Sequence, residues 1–259
     1  MKKMRILGLG MLMGVLTSCG GTTTAETKLH VIYDNPSPRT MPLALFGEVP
    51  EDIVTKLGIA EGIPSSVSVM LVEKDGQQWL FDAGNGNDDS QLIPSLEELG
   101  MTAMDIDGIF ITHLHGDHIG GLVKDGKAVF AQAKLYIPAV ELDAWTQTPE
   151  GTPANVKAMV DAYGERIVKF AMGDALPGGV EAIAAYGHTP GHTVYRTDHM
   201  LIVGDIMHGV ALQMEHQEFC ARFDMDREGA IASRKAIVEM AKQKGWTLFG
   251  MHFPATGGK

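Results

Sequence analysis

The chain's 259 residues suffice for one large domain or two small ones, and a composition 45% hydrophobic and 20% charged is that of a globular protein. A formal charge of −11 argues against partners gripped through their phosphates, nucleic acid above all, and against anionic lipid. The 31 glycines point instead to many tight turns between short strands.

The first segment reads as an export signal, outside the fold. Lys2, Lys3 and Arg5 precede an apolar run from Ile6 to Leu16 that is too short to span a bilayer comfortably. The run ends in Leu16-Thr17-Ser18-Cys19, which resembles the lipobox of bacterial lipoproteins. That resemblance implies a signal peptide over 1–18, a polar tether over 19–27 and an acylated Cys19 in the membrane. The protein would then be a cell-envelope lipoprotein on the periplasmic or other extracytoplasmic side. The plainer alternative is an ordinary signal peptide, or a short anchor helix, that contains a cysteine. Acylation of Cys19 would leave Cys220 as the one free cysteine, with no intrachain disulfide, and it reads as a small buried hydrophobe rather than a ligand or nucleophile.

A single domain is expected over 28–259. Residues 28–33 read as a strand. Four prolines between 34 and 50 predict a long irregular loop, whose Met41-Pro42-Leu43-Ala44-Leu45-Phe46 suits either a substrate lid or packing against the sheet or a second copy in a homodimer. Residues 65–84 read as two strands turning at Lys74-Asp75-Gly76. A helix is expected over 95–100, with Ser95 as N-cap and Gly100 as its stop. Strands follow at 106–113 and 133–139, and a helix at 153–167. Strands at 180–187 and 199–205, a long amphipathic helix over 226–245 and a final strand at 246–253 complete the order. Two groups of strands, each followed by helices, predict a layered α/β fold.

Residues 113–118, His-Leu-His-Gly-Asp-His, place four metal-capable side chains in six positions behind a buried strand. In an extended segment alternate side chains face one way, so His113 and His115 point together with Leu114 turned away. Gly116 would permit a sharp turn swinging Asp117 and His118 toward a second position, and Gly120 and Gly121 would allow close packing where a helix begins. Core or capping histidines are the bland alternative, but desolvating so many polar groups without a cation is costly.

With these motifs the chain resembles the metallo-β-lactamase-fold superfamily of metallohydrolases, in five motifs between about 60 and 253. They are Asp82 in LFDAG, the 113–118 cluster, Gly-His-Thr-Pro-Gly-His at 187–192, Asp205 in IVGD and His252 in MHFP. Singly, Asp82 and Asp205 could be turn residues and His252 an edge histidine. Together the resemblance implies a four-layer αββα sandwich and two divalent cations. One is held by His113, His115 and His188, the other by Asp117, His118 and His252, with Asp205 bridging. Asp82 would support the metal loop, and His192 would hydrogen-bond beneath the site. His30, His199 and His216 read as surface or structural.

Nitrogen and oxygen donors without thiolate suit zinc, and also manganese, cobalt or iron. Paired cations make a bridging hydroxide available near neutral pH, and the resemblance implies its attack on an ester, lactone or phosphotriester. Asp117 could carry the proton to the leaving group, and His208, three residues past Asp205, could contact substrate or steady that group. An aspartate at 205 argues against a true β-lactamase. The pattern is most similar to the branch with methyl parathion hydrolase and lactonases. An export signal and acidic charge argue against a ribonuclease Z, and the lack of a basic cluster against a glyoxalase II. A catalytically silent metal-binding lipoprotein and a mononuclear iron oxidoreductase resembling persulfide dioxygenases stand as alternatives. The sequence stops seven residues after His252, so an open pocket edge or a truncated sequence is expected.

Overall fold

The computed structural model describes residues 27–255. The signal peptide and Cys19 lie outside the described residues. Among the described residues no helix is long and apolar enough to cross a membrane.

Strand β1 (Lys28–Tyr33) leads into the proline-rich stretch, which is more ordered than its prolines suggest. Within and beyond it, β2 (Arg39–Met41), a single 3-10 turn (Leu43–Phe46), α1 (Glu51–Leu57) and β3 (Ile63–Ser65) form a small subassembly in which β2 pairs antiparallel with β3. Pro42 and Pro50 stand immediately before the two helical turns, where a missing N–H costs nothing. The irregular-loop expectation is corrected accordingly.

Strands β4 (Ser68–Lys74) and β5 (Gln77–Phe81) make the expected hairpin. Asp75 and Gly76 both take positive φ, 52° and 78°, as a two-residue turn matched to strand twist requires. Helix α2 (Leu92–Glu98) starts earlier than expected, so Ser95 lies inside it and is no cap. The free N–H groups of Gln91 and Leu92 go instead to Asp34 Oδ1, each at 3.1 Å, and Pro94 fits the first turn.

Then come β6 (Gly108–Phe110), α3 (Gly116–Ile119), a minor hairpin of β7 (Val123–Lys124) and β8 (Lys127–Ala128), and β9 (Lys134–Pro138). Helices α4 (Ala139–Trp145) and α5 (Ala154–Tyr163) and strand β10 (Ile167–Phe170) close this half. The second half holds β11 (Glu181–Ala184), β12 (Thr193–Thr197), β13 (Met200–Gly204), α6 (Val210–Gln213), α7 (Arg227–Lys244) and β14 (Thr247–Gly250). The long helix α7 begins where Asp226 accepts from Gly229 N–H and ends at left-handed Gly245, as its sequence predicts.

Besides the two-stranded β2–β3 and β7–β8 pairs, two large sheets result, ordered β1-β4-β5-β6-β9-β10 and β11-β12-β13-β14. Val72, Phe81 and Phe110 of the first face Tyr195 and Ile202 of the second. The outer face of the first sheet, with Leu71, Leu80 and Ile109, packs on Leu96 of α2 and Met159 of α5. The outer face of the second, with Val194, Leu201 and Val203, packs on Ile237 and Ala241 of α7. The expected four-layer αββα sandwich is what forms, each sheet buried on both faces. Cys220 is fully buried, as expected of a small hydrophobe. In the parallel pairs β5–β6 and β13–β14, all four strands run out at one edge, and the residues beyond their carboxyl ends, joined by the loop from β11 to β12, build the site.

Candidate metal centre

Past β6 the chain stays extended, and His113 and His115 do point together: His113 Nε2 lies 3.0 Å from His115 Nδ1 while Leu114 is buried in the core. His188, in the loop from β11 to β12, brings its Nε2 to 3.1 Å from His113 Nε2 and 2.9 Å from His115 Nδ1. Helix α3 carries Asp117 and His118 toward His252, whose Nε2 is 3.3 Å from Asp117 Oδ2. Asp205 stands between the groups. Its Oδ2 is 3.5 Å from His188 Nε2 and 3.3 Å from His252 Nε2, and its Oδ1 is 3.2 Å from His118 Nε2. Donor atoms of His113, His115, His188 and Asp205 all lie within 4.8 Å of one another, as do those of Asp117, His118 and His252. Every predicted ligand is thus brought to one place.

The outward ring nitrogens fix what the inward ones offer. His188 Nδ1 donates to Asp224 Oδ1 at 2.9 Å, His118 Nδ1 to Asp82 Oδ2 at 2.8 Å, and His252 Nδ1 to the Ser66 carbonyl at 2.9 Å. Thr112 gives its hydroxyl proton to Asp82, so its oxygen accepts from His113 Nδ1 at 3.1 Å. With the outward nitrogens as donors, each ring in its neutral form presents an inward lone pair, the tautomer a metal requires. Lone pairs crowded within 3.1 Å repel unless a cation sits among them. His118 Nε2 and Asp205 Oδ1 are buried, and although 3.2 Å apart they make no well-directed hydrogen bond with each other or with any other group among the described residues. The donor set therefore fits two divalent cations.

The charges agree. Burial opposes ionising His252, yet Asp205 and Asp117 push it up to about 10. Asp205, Asp82 and Asp117 likewise outweigh burial and hold His118 well above the usual imidazole range. In return, despite burial, His252, His118 and His208 hold Asp205 well below the carboxylate range. Burial, then repulsion from His188, lowers His115 to about 4. The upward shifts at His118 and His252 thus mark carboxylate charge that cations would neutralise.

Support comes from positions the sequence named and from others it did not. Asp82, at φ 63°, accepts from Thr112 N–H and Oγ1 and from His118, and so braces the loop without entering the donor groups. His192 receives Asp205 N–H at 3.0 Å and donates to the Ala185 carbonyl, as expected of a residue beneath the site. Gly204 makes room for it, since a Cβ there would lie 2.7 Å from His192 Nε2. Asp224 behind His188 and Glu141 behind both ligand loops carried no local pattern in the sequence. Gly116 is corrected: its φ is not positive and a Cβ there would meet nothing nearer than 3.7 Å, so the turn does not require glycine. The helix also begins at Gly116, ahead of Gly120 and Gly121, whose role is contact. A Cβ at Gly120 would lie 1.9 Å from Asn85 O.

A cavity of about 430 Å³ opens over the centre, lined by Asp117, Asp205, His208 and His252 with Met41, Leu45, Val67 and Phe223. The 34–50 stretch thus both walls the cavity and packs inward, through Phe46 against Ile63 and Leu212. Met207, Val210, Leu212 and Met214 serve the core. His208 lines the cavity with its Nε2 3.2 Å from Asp205 Oδ2 and its ring stacked on His252. Asp117 is the one carboxylate of the centre with substantial exposure, 30% of its side chain.

The sequence matches the Metallo-beta-lactamase superfamily over residues 62–252. The chain belongs to that superfamily. Among curated relatives of this superfamily chain, the ribonuclease Z of Salinibacter ruber is 31% identical over 193 residues, covering 69% of the chain and 52% of the relative. The chain thus spans about half the length of that relative. A ribonuclease Z of Bacillus thuringiensis is 42% identical over 72 residues, 26% of the chain and 22% of the relative. Among solved structures, the hydrolase AbOPH of the beta lactamase superfamily aligns with TM-score 0.77 and 25% identity, covering 90% of this chain and 89% of that one. AidC, a dizinc quorum-quenching lactonase solved with a product, aligns with TM-score 0.79 and 24% identity over 91% and 90%.

Proposed function

We propose that this protein is a metal-dependent hydrolase of small esters, lactones or phosphotriesters. His113, His115 and His188 would hold one divalent cation, Asp117, His118 and His252 a second, and Asp205 would join both. Zinc is the first candidate, and manganese, cobalt and iron suit the same donors. One observation carries the reading: imidazole lone pairs and two carboxylates converge under a cavity with an apolar wall. Bound there, paired cations supply a water made nucleophilic near neutral pH and positive charge for the substrate's oxygen.

The chain's own groups do the rest. Met41, Leu45 and Phe223 take the apolar part of the substrate and exclude water. Asp117, exposed at the cavity and held low in pKa by His118 and His252 against its burial, moves a proton to the leaving group through its carboxylate. His208 meets the substrate beside Asp205.

The similarity to ribonuclease Z favours a second reading, cleavage of RNA phosphodiesters. A net charge of −11 weighs against it, because RNA is gripped by counterion release at basic surfaces. Acylation of Cys19, and with it membrane tethering, belongs to the proposal and is read by release of a Cys19→Ser variant from the membrane fraction.

The deciding experiment is metal analysis of purified protein, followed by a panel of lactones, aryl esters, phosphotriesters and a transfer-RNA precursor with zinc, manganese or cobalt. Two cations per chain and chelator-sensitive turnover of a small substrate are expected. Asp205→Ala should abolish turnover and dual occupancy, while His199→Ala, at an exposed site, should change neither. Fewer than one cation per chain without hydrolysis would favour a silent binder. One iron with sulfur-dependent oxygen uptake would favour the oxidoreductase. Equal damage from both variants would overturn the assignment.

A further inference from the structure

Glu141 occupies the first turn of α4 and is completely buried. A lone buried carboxylate is costly, so its partners explain its presence. It has four, drawn from three separate segments. Oε1 accepts from Leu114 N–H at 2.9 Å and from Trp145 Nε1–H at 2.7 Å. Oε2 accepts from Thr189 Oγ1–H and from Gly191 N–H, both at 2.8 Å. Leu114 lies between His113 and His115, Thr189 follows His188, and Gly191 precedes His192. A single side chain therefore ties together the two loops that bring the first donor group into register.

Neighbouring geometry is arranged around this contact. Gly191 approaches so closely that a Cβ there would lie 2.3 Å from the Glu141 backbone nitrogen. That explains glycine at a position where φ is not positive. The Trp145 indole, oriented by Glu141, meets His115 edge-to-face at 5.5 Å and limits how its ring can turn. Glu141 itself belongs to none of the donor groups and does not line the cavity, so it touches neither cation nor substrate.

We infer that Glu141 is a positioning residue for the first cation, setting the spacing between the His113–His115 pair and His188 and so fixing that site's affinity separately from the second's. The inference rests on the two-cation reading above. The donors on each oxygen are fixed N–H groups with one exception, the Thr189 hydroxyl, which can reverse. In Glu141→Gln the amide nitrogen therefore turns toward Thr189 and Gly191, where it opposes Gly191 N–H and frees the His188 loop. Outer partners of metal-binding histidines typically carry about 10–100-fold in metal affinity.

The test is zinc competition against a chromophoric chelator in two backgrounds. His252→Ala leaves the first donor group alone, and His115→Ala leaves the second. Glu141→Gln should weaken zinc binding about 10–100-fold in the His252→Ala background and leave it unchanged in the His115→Ala background. With cobalt, the visible absorption of the first site should shift in Glu141→Gln and not in a Tyr163→Phe control, which removes a buried hydrogen bond to the Leu122 carbonyl that involves neither Glu141 nor a donor residue. Should Glu141→Gln fail to fold, Thr189→Val removes one donor and keeps the carboxylate, and a smaller loss confined to the first site is expected. Unchanged zinc affinity alongside a lowered melting temperature, or equal loss at both sites, would overturn the inference. Absence of zinc binding in His252→Ala alone would overturn instead the two-cation reading.

Discussion

At His188 the two ring nitrogens divide their work: Nε2 faces His113 and His115, and Nδ1 gives its proton to Asp224. Asp224 in turn lies 3.4 Å from Arg234, a guanidinium with no exposure that also donates to the carbonyls of Ile206, Gln217 and Phe219. The carboxylate fixes the tautomer and makes Nε2 more basic. Asp224→Asn should therefore weaken zinc binding about tenfold or more, and it should lower the urea midpoint because Arg234 loses its one charged partner. A lowered midpoint with unchanged affinity would reduce Asp224 to packing. Protons and cations compete at the facing residue, His252. Its pKa rises from 6.5 to about 10 in the cation-free protein, a group raised on folding. The stability it contributes is present in full below 6.5 and is lost as pH climbs through about 10. A cation needs the neutral ring, so zinc affinity should climb over that same interval, with a proton released on binding. Calorimetry at pH 8 in two buffers of different ionisation enthalpy reads the proton directly, and an identical heat in both would contradict the charge pattern.

The elements hold these residues through close backbone contacts. Gly187 and Gly191 bracket His188, and each lies against a helix. A Cβ at Gly187 would come 2.0 Å from Ala230 N in the first turn of α7, and Gly187 also has φ 127°. Gly187→Ala should cost about 1–3 kcal/mol from overpacking and a similar amount from backbone strain. Urea unfolding measures the sum, and a loss under about 1 kcal/mol would mean that the loop yields freely. Such contacts decide what a sequence discloses. The 113–118 cluster, Asp205 and His252 were legible because they crowd behind apolar runs, and a strand's period of two put His113 and His115 on one side. Asp224 and Glu141 were not, because the ligand-loop groups they hold lie 27 to 50 residues away and nothing local marks a buried carboxylate. Helices α1 and α4, of seven residues each, span too few turns to display a period. Strand β12 showed no period of two, because Thr193, Val194 and Tyr195 are all buried in succession. Helix α2 started early because its cap comes from Asp34, 58 residues before Leu92.

Across the whole molecule the donors divide between the halves. His113, His115, Asp117 and His118 follow β6 of the six-stranded sheet, while His188, Asp205 and His252 adjoin strands of the four-stranded sheet. Cations there would cross-link the two sheets at one edge. Between the sheets, just inside that edge, an aromatic core of Phe81, Phe110 and Tyr195, with ring centroids 5.2 to 5.6 Å apart, holds them together without metal. Protonated His118 and His252 offset the carboxylates when cations are gone. Chelation should therefore weaken the fold without dissolving it. Zinc at a hundred times its dissociation constant adds about 2.7 kcal/mol per site, and a domain of this size shifts about 2–4 °C per kcal/mol. Two filled sites thus predict a melting temperature roughly 10–20 °C above the chelated protein's, restored by adding zinc back. Far-ultraviolet circular dichroism at 25 °C should hardly change, because the sheets and the helices outside them pack on extensive apolar faces that contain none of the donors. A collapse of that spectrum on chelation would mean that the aromatic core cannot hold the halves alone. An unmoved melting temperature would mean that the donors bind no cation that joins them.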